Sequence, residues 1–160
     1  MDGEVRTDSI KVIVADDHPA IRRSFRLLLD AEEGVEVVAE AGDISSMLRH
    51  AEAHEPQVLV LDMRLPDGCS IEAIAPLCSR SPETKIVAVT MEASPAFALR
   101  ALAAGAVGFV LKHLADAELP TAVRRAAQGK EYVSSQVSEG LAGLRARKGQ
   151  PSADDRAMLA

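Results

Sequence analysis

Short unbroken runs of aliphatic residues recur along the chain, and longer segments of mixed polarity separate them. Valine, isoleucine and leucine in runs without polar alternation are typical of parallel strands that are buried on both faces. The intervening segments have apolar residues at helical spacing, as at Ile21, Phe25, Leu28 and Leu29. Strand and helix therefore alternate from Ile10 onwards, which predicts an α/β protein with a parallel sheet.

Five strands and five helices are predicted, and turn and capping signals separate them. The apolar runs that define the strands span residues 11–15, 35–39, 58–61, 86–89 and 107–111. Pro66, Asp67 and Gly68 form a turn signal after the third strand, and Asp43 is a suitable N-cap for the second helix. The predicted fold is a doubly wound, flavodoxin-like sheet in the order 2-1-3-4-5, with helices on both faces.

The fifth helix contains a proline close to its start. Pro120 cannot donate a backbone hydrogen bond inside a helix, at a cost of up to about 3 kcal/mol. We therefore expect the regular helix to begin near residues 119–120, with a distorted lead-in. Further along the chain the pattern weakens, but Val137, Leu141 and Leu144 predict a short additional helix.

Four of the five predicted strands end in residues that can take part in phosphoryl chemistry. Asp16 and Asp17 follow the first strand, Asp62 the third, Thr90 the fourth and Lys112 the fifth. Each has an ordinary interpretation when taken alone, as a cap, a turn residue, a strand residue or a surface charge. Ligands of open α/β sheets, however, bind outside the carboxyl ends of the strands, where the strand order reverses. These five side chains are therefore predicted to meet at one edge of the sheet.

The chemistry of this set points to phosphoryl transfer onto a carboxylate. Three carboxylates at one site repel each other, so a cation is expected to hold them together, with Mg²⁺ the natural ion and Mn²⁺ an alternative. A carboxylate can attack phosphorus, and Lys112 and Thr90 can neutralise or hydrogen-bond the transferred oxygens. Asp62 is the predicted acceptor because it ends the central strand. Asp16 and Asp17 lie together at the first strand, where they can hold the metal.

The motifs together resemble the receiver domain of two-component response regulators. The resemblance covers residues 10–133, and the segments that carry it are residues 12–18, 60–68, 88–91 and 104–112. The Asp-Asp-His-Pro run, the Thr-Met pair and the Gly-Phe-Val-Leu-Lys strand are similar to the NarL/FixJ subgroup. Members of that subgroup usually carry a LuxR-type helix-turn-helix domain after the receiver.

The resemblance implies roles for the residues of the metal and phosphoryl site. Asp62 would be the phosphoacceptor, and Lys112 would be the partner of the phosphoryl group. Asp17 would bind Mg²⁺ directly and Asp16 mainly through water. Asp62 itself and the main-chain carbonyl of Arg64 would be further metal ligands.

The resemblance also implies switch residues and tuning residues. Thr90 would be the switch hydroxyl, and Phe109 would be the aromatic residue that rotates inward when Thr90 moves. Arg64 and Glu92, two residues beyond Asp62 and Thr90, would tune the lifetime of the phosphorylated state through the access of water.

Two positions depart from the usual pattern of the subgroup. His113 stands where an acidic residue often follows the lysine, and Pro120 lies early in the last helix. Both positions belong to the face through which these domains signal, so they bear on how the protein dimerises and leave the acidic site intact.

The function that the resemblance implies is a phosphorylation switch rather than a metabolic enzyme. A sensor histidine kinase would donate its phosphoryl group to Asp62, and the chain would catalyse only self-phosphorylation and autodephosphorylation. The readout would be homodimerisation and control of transcription through a DNA-binding domain that is absent from this chain.

Two other functions compete with this one. A phosphorylation-independent, receiver-like interaction module would have the same fold. A Mg²⁺-dependent phosphohydrolase of the haloacid dehalogenase type would need a second acid two residues after its nucleophile, where this chain has Arg64.

Length, charge and composition set the remaining expectations. Residues 1–9 are interpreted as a flexible leader, 10–133 as the receiver domain, and 134–160 as a linker with an extra helix and the stub of a missing output domain.

The net charge of −6 and the aromatic content of 2 % argue against nucleic-acid binding by the 160 residues of this chain. The sequence has neither a signal-peptide pattern nor an apolar stretch near the roughly 18 residues that span a bilayer. A cytoplasmic location without a membrane partner is therefore expected.

Overall fold

The computed structural model of the chain describes residues 9–149. The predicted leader, apart from Ser9, and the predicted stub beyond residue 149 lie outside this range. A six-stranded parallel sheet occupies the centre, and its strands are β1 (Ile10–Ala15), β2 (Val35–Ala41), β3 (Val58–Asp62), β4 (Lys85–Thr90), β5 (Gly108–Leu111) and β6 (Tyr132–Val133).

The strand order is β2-β1-β3-β4-β5-β6. The predicted flavodoxin-like order 2-1-3-4-5 is therefore confirmed. The short strand β6 is an addition, since it pairs in parallel with β5 through Gly108–Tyr132 and Phe109–Val133. It extends the sheet at the edge next to the strand that carries Phe109.

Helices cover both faces of the sheet, as predicted. They are α1 (Pro19–Asp30), α2 (Ile44–His54), α3 (Ser70–Arg80), α4 (Pro95–Ala104), α5 (Ala115–Ala127) and α6 (Ser135–Gly149). Successive strand residues enter opposite cores: Ile13 packs in the core beneath α2, α3, α4 and α6, whereas Val12 and Val14 pack in the core beneath α1 and α5. Because both faces of the sheet are buried, the strand sequences are continuous apolar runs.

Local signals near the acidic edge form as the sequence predicts. The backbone N–H of Ser46 donates to Oδ1 of Asp43, which caps α2. The Pro66–Asp67 turn joins a small antiparallel hairpin of Arg64–Leu65 and Gly68–Cys69 directly after Asp62. Gly68 has a φ of 157°, and a Cβ there would press against Ile44 at 3.2 Å. The loop beside Asp62 therefore depends on a glycine at this position.

The expected start of the last receiver helix is wrong. Helix α5 begins at Ala115, after a short 3₁₀ turn over Lys112–Leu114, and Pro120 lies inside the regular helix. The early start buries Ala115 and Leu119 completely against the sheet. Burial of this apolar face offsets the missing backbone hydrogen bond of the proline.

The additional helix predicted from Val137, Leu141 and Leu144 forms as α6. Val137 and Leu141 are buried in the core beneath α4, and α6 makes its main contact between helices with α4. Among residues 9–149, no helix is both long enough and apolar enough to cross a membrane.

Candidate functional site

Residues from four strand ends meet at the carboxyl edge of the sheet. Nζ of Lys112 lies 2.9 Å from Oδ2 of Asp16 and 3.1 Å from Oδ2 of Asp62. Side chains from the same set line a cleft at this edge, and its lining residues are Asp17, His18, Asp62, Arg64, Thr90, Met91, Glu92 and Lys112. The structure thus brings together the five side chains that the strand-end pattern singles out.

Asp16 is almost completely buried, and its backbone is anchored on both sides. Its N–H donates to the carbonyl of Ala41 on β2, at 2.9 Å, and its carbonyl accepts from Nη1 of Arg22 on α1, at 2.8 Å. Oδ1 accepts from the backbone N–H of His18 at 2.9 Å. These contacts fix where the first acidic side chain points.

Oδ2 of Asp16 is the one buried side-chain oxygen or nitrogen that lacks a hydrogen bond in the part of the chain that the structure describes. Its neighbour is the ammonium of Lys112, which lies 2.9 Å away and neutralises its charge. Buried polar atoms normally have a partner, and exceptions concentrate where an ion or a functional group is expected. Asp16 also belongs to the group of metal-ligating side chains at this edge, together with Asp17, His18 and Asp62.

Asp62 has a distinct partner for each polar atom. Oδ1 accepts from the backbone N–H of Arg64 at 3.1 Å, Oδ2 accepts from Lys112, and the main-chain carbonyl accepts from the hydroxyl of Ser70 at 2.6 Å. Burial and repulsion from Asp16 raise the pKa of the Asp62 carboxyl, and the donors Arg64 and Lys112 offset this only in part. The folded, metal-free site therefore favours a proton or another cation at Asp62.

Lys112 is charged in this setting despite its burial. Its side chain is only 10 % exposed, and burial alone would lower its pKa. Asp16 and Asp62 outweigh that effect and raise the pKa of Lys112 above its ordinary value. One ammonium group therefore serves two buried carboxylates.

The fourth strand contributes a hydroxyl and a loop to the cleft. Oγ1 of Thr90 accepts a hydrogen bond from the backbone N–H of Glu92 at 3.2 Å. The Glu92 side chain in turn accepts from Nη2 of Arg64 at 3.3 Å, and both of these side chains are exposed at the mouth of the cleft. The two residues expected to act as a tuning pair are thus in contact with each other.

Phe109 does not lie in the cleft. Its ring is fully buried between the sheet and α4, where it meets the ring of Phe97 edge to face with 6.1 Å between centroids. The sequence-based expectation is an inward rotation of this ring, but the ring is already inward in this structure.

Three carboxylates and one imidazole are grouped closely enough to hold a divalent cation. One ligand atom from each of Asp16, Asp17, His18 and Asp62 lies within 4.8 Å of the others. Carboxylate oxygens are the donors that Mg²⁺ prefers, and the unsatisfied Oδ2 of Asp16 adds a buried acceptor. The side chains present therefore fit a magnesium ion.

Sequence reasoning missed two neighbours of this cluster. His18 is exposed, as expected, but its Nδ1 lies 3.1 Å from Oδ1 of Asp17. Arg22, on α1, donates from Nη1 to the carbonyl of Asp16 at the end of β1. A lone arginine on a helix carries no sequence signal for such a contact.

The flavodoxin-like sheet and the lysine-bridged acidic cleft at its carboxyl edge make this an α/β domain with a charged ligand site at the strand ends. The sequence profile of the response regulator receiver domain matches residues 12–124, and the chain belongs to this family. It is a receiver domain of the NarL/LuxR type of two-component response regulators, and therefore a regulatory domain.

The similar proteins are regulatory proteins. The chain is 36 % identical over 133 residues to the oxygen regulatory protein NreC of Staphylococcus epidermidis, covering 82 % of this chain and 61 % of NreC. It is 36 % identical over 132 residues to the DNA-binding transcriptional activator DevR/DosR of Mycobacterium tuberculosis, with the same coverage. The chain thus spans about three fifths of the length of these curated relatives.

A solved structure supports the same family. The LuxR-family two-component response regulator from Aurantimonas sp. SI85-9A1 superposes with a TM-score of 0.81 at 33 % identity. The match covers 86 % of this chain and 99 % of that one.

Proposed function

We propose that the chain is a phosphorylation switch in which Asp62 accepts a phosphoryl group from a sensor histidine kinase. The observation that carries this proposal is the position of Lys112, whose Nζ bridges the buried carboxylates of Asp16 and Asp62. A buried lysine held at a carboxylate can pair with a phosphoryl group attached to that carboxylate.

Asp16, Asp17 and Asp62 would hold Mg²⁺, with the main-chain carbonyl of Arg64 as a further ligand. Asp17 is the most exposed of the three carboxylates and is suited to direct coordination, whereas the buried Asp16 would act mainly through water. Bound Mg²⁺, or Mn²⁺ in its place, supplies positive charge against the phosphoryl oxygens. Lys112 would then give up its contact with Asp16 and remain beside Asp62.

Transfer would proceed by attack of an Asp62 carboxylate oxygen on phosphorus. The new O–P bond forms as the N–P bond to the histidine of the kinase breaks, and the histidine nitrogen keeps the electron pair. The ammonium of Lys112 neutralises one phosphoryl oxygen. The hydroxyl of Thr90 can donate to another after it leaves the backbone N–H of Glu92, and this exchange would displace the loop after β4.

Loss of the phosphoryl group would be limited by the access of water to the cleft. The exposed pair of Arg64 and Glu92 crosses the mouth of the cleft next to Asp62 and Thr90. It is therefore placed to tune autodephosphorylation. The chain needs no further enzymatic activity for this function.

The remaining assignments follow from the family. Residues 10–133 would form the receiver, and residues 134–160 would lead to an output domain, with residues 1–9 as a leader. Phosphorylation would favour a homodimer in the cytoplasm. DNA contact would come only from a C-terminal helix-turn-helix domain; the similar protein DevR/DosR is a DNA-binding transcriptional activator.

Intact mass spectrometry after incubation with acetyl phosphate tests the proposal. We expect a gain of one phosphoryl group with Mg²⁺ and none when EDTA replaces the metal. If neither acetyl phosphate nor a histidine kinase labels the protein with any divalent metal, the chain is a phosphorylation-independent interaction module. Turnover of small phosphate esters would instead indicate a phosphohydrolase.

Arg22 provides a test of the metal site that does not depend on phosphorylation. Arg22 and Arg26 both bind Glu40, at 2.9 and 2.8 Å, but only Arg22 also holds the carbonyl of Asp16. Residues that hydrogen-bond to the ligands of a metal site and orient them typically contribute tenfold or more to the affinity for the metal. We therefore expect Arg22→Met to weaken Mg²⁺ binding by about tenfold in a calorimetric titration.

Arg26→Met is the matched control, because it removes the same kind of ion pair from Glu40 and leaves the Asp16 carbonyl in place. Its Mg²⁺ affinity should equal that of the wild type. Equal affinities of the two variants would show that Arg22 stabilises β2 and α1 without positioning the acidic pair.

A further inference from the structure

One buried hydroxyl bridges the two ends of the segment that carries Lys112. Ser134 is completely buried, and its Oγ accepts a hydrogen bond from the backbone N–H of Leu111, the last residue of β5, at 2.9 Å. The same hydroxyl donates to the carboxylate of Glu118, in the first turn of α5, at 2.5 Å. Lys112 lies between Leu111 and Glu118, at the start of the 3₁₀ turn that joins β5 to α5. Ser134 therefore fixes the backbone both before and after Lys112.

The hydroxyl completes a hydrogen-bond ladder that the backbone leaves unfinished. On one side, β5 pairs with β4 as far as Leu111, which lies opposite Thr90. On the other side, its pairing with β6 ends earlier, at Phe109 opposite Val133. Ser134 comes next in the chain: its N–H donates to the carbonyl of Phe109 at 2.9 Å, and its Oγ takes the N–H of Leu111. Without this hydroxyl, the N–H of the buried Leu111 would lack a partner, which is unfavourable.

The carboxylate of Glu118 determines which way the Ser134 hydroxyl points. A hydroxyl has one hydrogen to donate and two lone pairs with which to accept. Because the hydrogen is directed at Glu118, a lone pair of Oγ remains for the N–H of Leu111. A hydrogen bond to a carboxylate is stronger than one between neutral groups, and it makes the hydroxyl oxygen a better acceptor. Glu118 and Ser134 therefore act together on the end of β5.

The placement of the Lys112 backbone determines whether the ammonium reaches both carboxylates. Nζ lies 2.9 Å from Oδ2 of Asp16 and 3.1 Å from Oδ2 of Asp62. The lysine side chain is long and flexible, so it does not fix the position of its ammonium by itself. Phosphoryl transfer depends on positioning and charge, and a misplacement of about 1 Å can lower a rate about a hundredfold. A firm hold on the backbone at Lys112 therefore bears directly on transfer.

We propose that Ser134, held by Glu118, is a positioning residue of the phosphoryl site. Its hydroxyl sets the backbone on both sides of Lys112 and thereby holds the ammonium at Asp62 during transfer. This inference rests on the proposed phosphorylation of Asp62. It adds to the functional site a residue that lies beyond residues 12–124, the part of the chain that matches the receiver profile.

The rate of phosphorylation by acetyl phosphate with Mg²⁺, followed by intact mass on the full chain, tests the proposal. Ser134→Ala should lower the rate constant by about tenfold, because Lys112 is no longer held at Asp62. Ser134→Thr keeps the hydroxyl and should restore most of the rate. A rate in Ser134→Ala equal to that of the wild type would overturn the inference.

Ser138→Ala is the matched control. It removes the same hydroxyl group from the same part of the chain, but Ser138 is exposed and donates to the carbonyl of Ser135 at 3.2 Å. Its rate of phosphorylation should equal that of the wild type. A loss as large as that in Ser134→Ala would show that the rate responds to any change in this segment, which would contradict a specific role for Ser134.

A double-mutant cycle with Lys112→Ala separates positioning from a general loss of folding. If Ser134 acts through the ammonium, Ser134→Ala should change the rate by less than about twofold once Lys112 is absent. Equal losses in the two backgrounds would overturn the inference and leave the proposed function in place. Glu118→Ala removes the acceptor of the hydroxyl and should show the same dependence on Lys112, so the test does not depend on whether Ser134→Ala folds.

Urea denaturation in EDTA applies the same cycle without phosphorylation. The effect of Ser134→Ala on the unfolding equilibrium constant should be about fivefold larger when Lys112 is present, a typical coupling between groups of one network. Additive effects of the two substitutions would overturn the inference. If the wild type takes up no phosphoryl group, the proposed function fails and the role in transfer fails with it, whereas coupling in EDTA would still show that Ser134 holds Lys112.

Discussion

Asp62→Asn is expected to abolish phosphoryl uptake from acetyl phosphate, while the protein remains folded. The amide cannot form a stable acyl phosphate, and Asp62 is the carboxylate of the cleft that lies at the end of the central strand β3. Intact mass should show no addition under conditions that label the wild type fully. Asp67→Asn, in the adjacent turn, is the control and should be labelled normally. Full labelling of Asp62→Asn would show that another residue is the acceptor.

The same substitution should stabilise the metal-free protein. Burial and Asp16 raise the pKa of Asp62 in the folded state. A raised folded-state pKa contributes stability that is present below the ordinary carboxyl pKa of 3.8 and is lost as the pH rises through the folded value. The asparagine variant avoids this loss.

Urea denaturation in EDTA between pH 4 and pH 7 measures the difference. The variant should gain stability relative to the wild type as the pH rises, with a plateau at the upper end. A difference that is independent of pH would mean that the Asp62 carboxyl is not perturbed by folding.

Lys112→Ala is expected to produce the largest loss of stability in the metal-free protein, about 3 kcal/mol at pH 7. It leaves Asp16 and Asp62 buried as carboxylates without their shared cation. Because the pKa of Lys112 is raised, its contribution is fully present below its ordinary value of 10.5 and is lost only as the pH rises through the folded value. Chemical denaturation in EDTA at pH 7 should show the full effect, whereas the exposed Lys130→Ala should change stability by less than about 0.5 kcal/mol.

Mg²⁺ should restore much of this stability, because the ion replaces the missing charge between the carboxylates. Metal binding should therefore survive in Lys112→Ala, and calorimetric titration would test this. Activation should not survive, since the phosphoryl group loses its ammonium partner. A Lys112→Ala variant that dimerises on phosphorylation as the wild type does would rule out this role for Lys112.

The acidic cleft could be predicted from the sequence because its residues follow apolar strands. Parallel strands align their carboxyl ends, so Asp16, Asp62, Thr90 and Lys112 are brought to one edge by the strand order alone. The sequence pattern also predicts the turn after Asp62 and the N-cap of α2. These features depend on residues close together in the chain or on the period of the strands.

The supports of the cleft could not be predicted in this way. Arg22 reaches the carbonyl of Asp16 across the gap between α1 and β1, and Ser134 holds the amide of Leu111 from 23 residues away. Arginines on helices and serines before helices are common, and their individual sequence positions carry no signal for these partners. At Pro120 a local signal was present but misleading. The preference of proline predicted a later start of α5, whereas the helix begins at Ala115 because Ala115 and Leu119 are buried against the sheet.

The sequence by itself therefore determined the fold, the family and the set of reactive side chains, because strand periodicity and strand-end motifs are local properties of the chain. Only the tertiary structure decided that Lys112 is shared between two buried carboxylates, that Phe109 is already covered, and that α6 lies against Pro95 through Gly140. These features depend on the placement, to within a few tenths of an ångström, of elements that are remote in sequence. Close packing sets such distances, and no residue pattern along the chain records them.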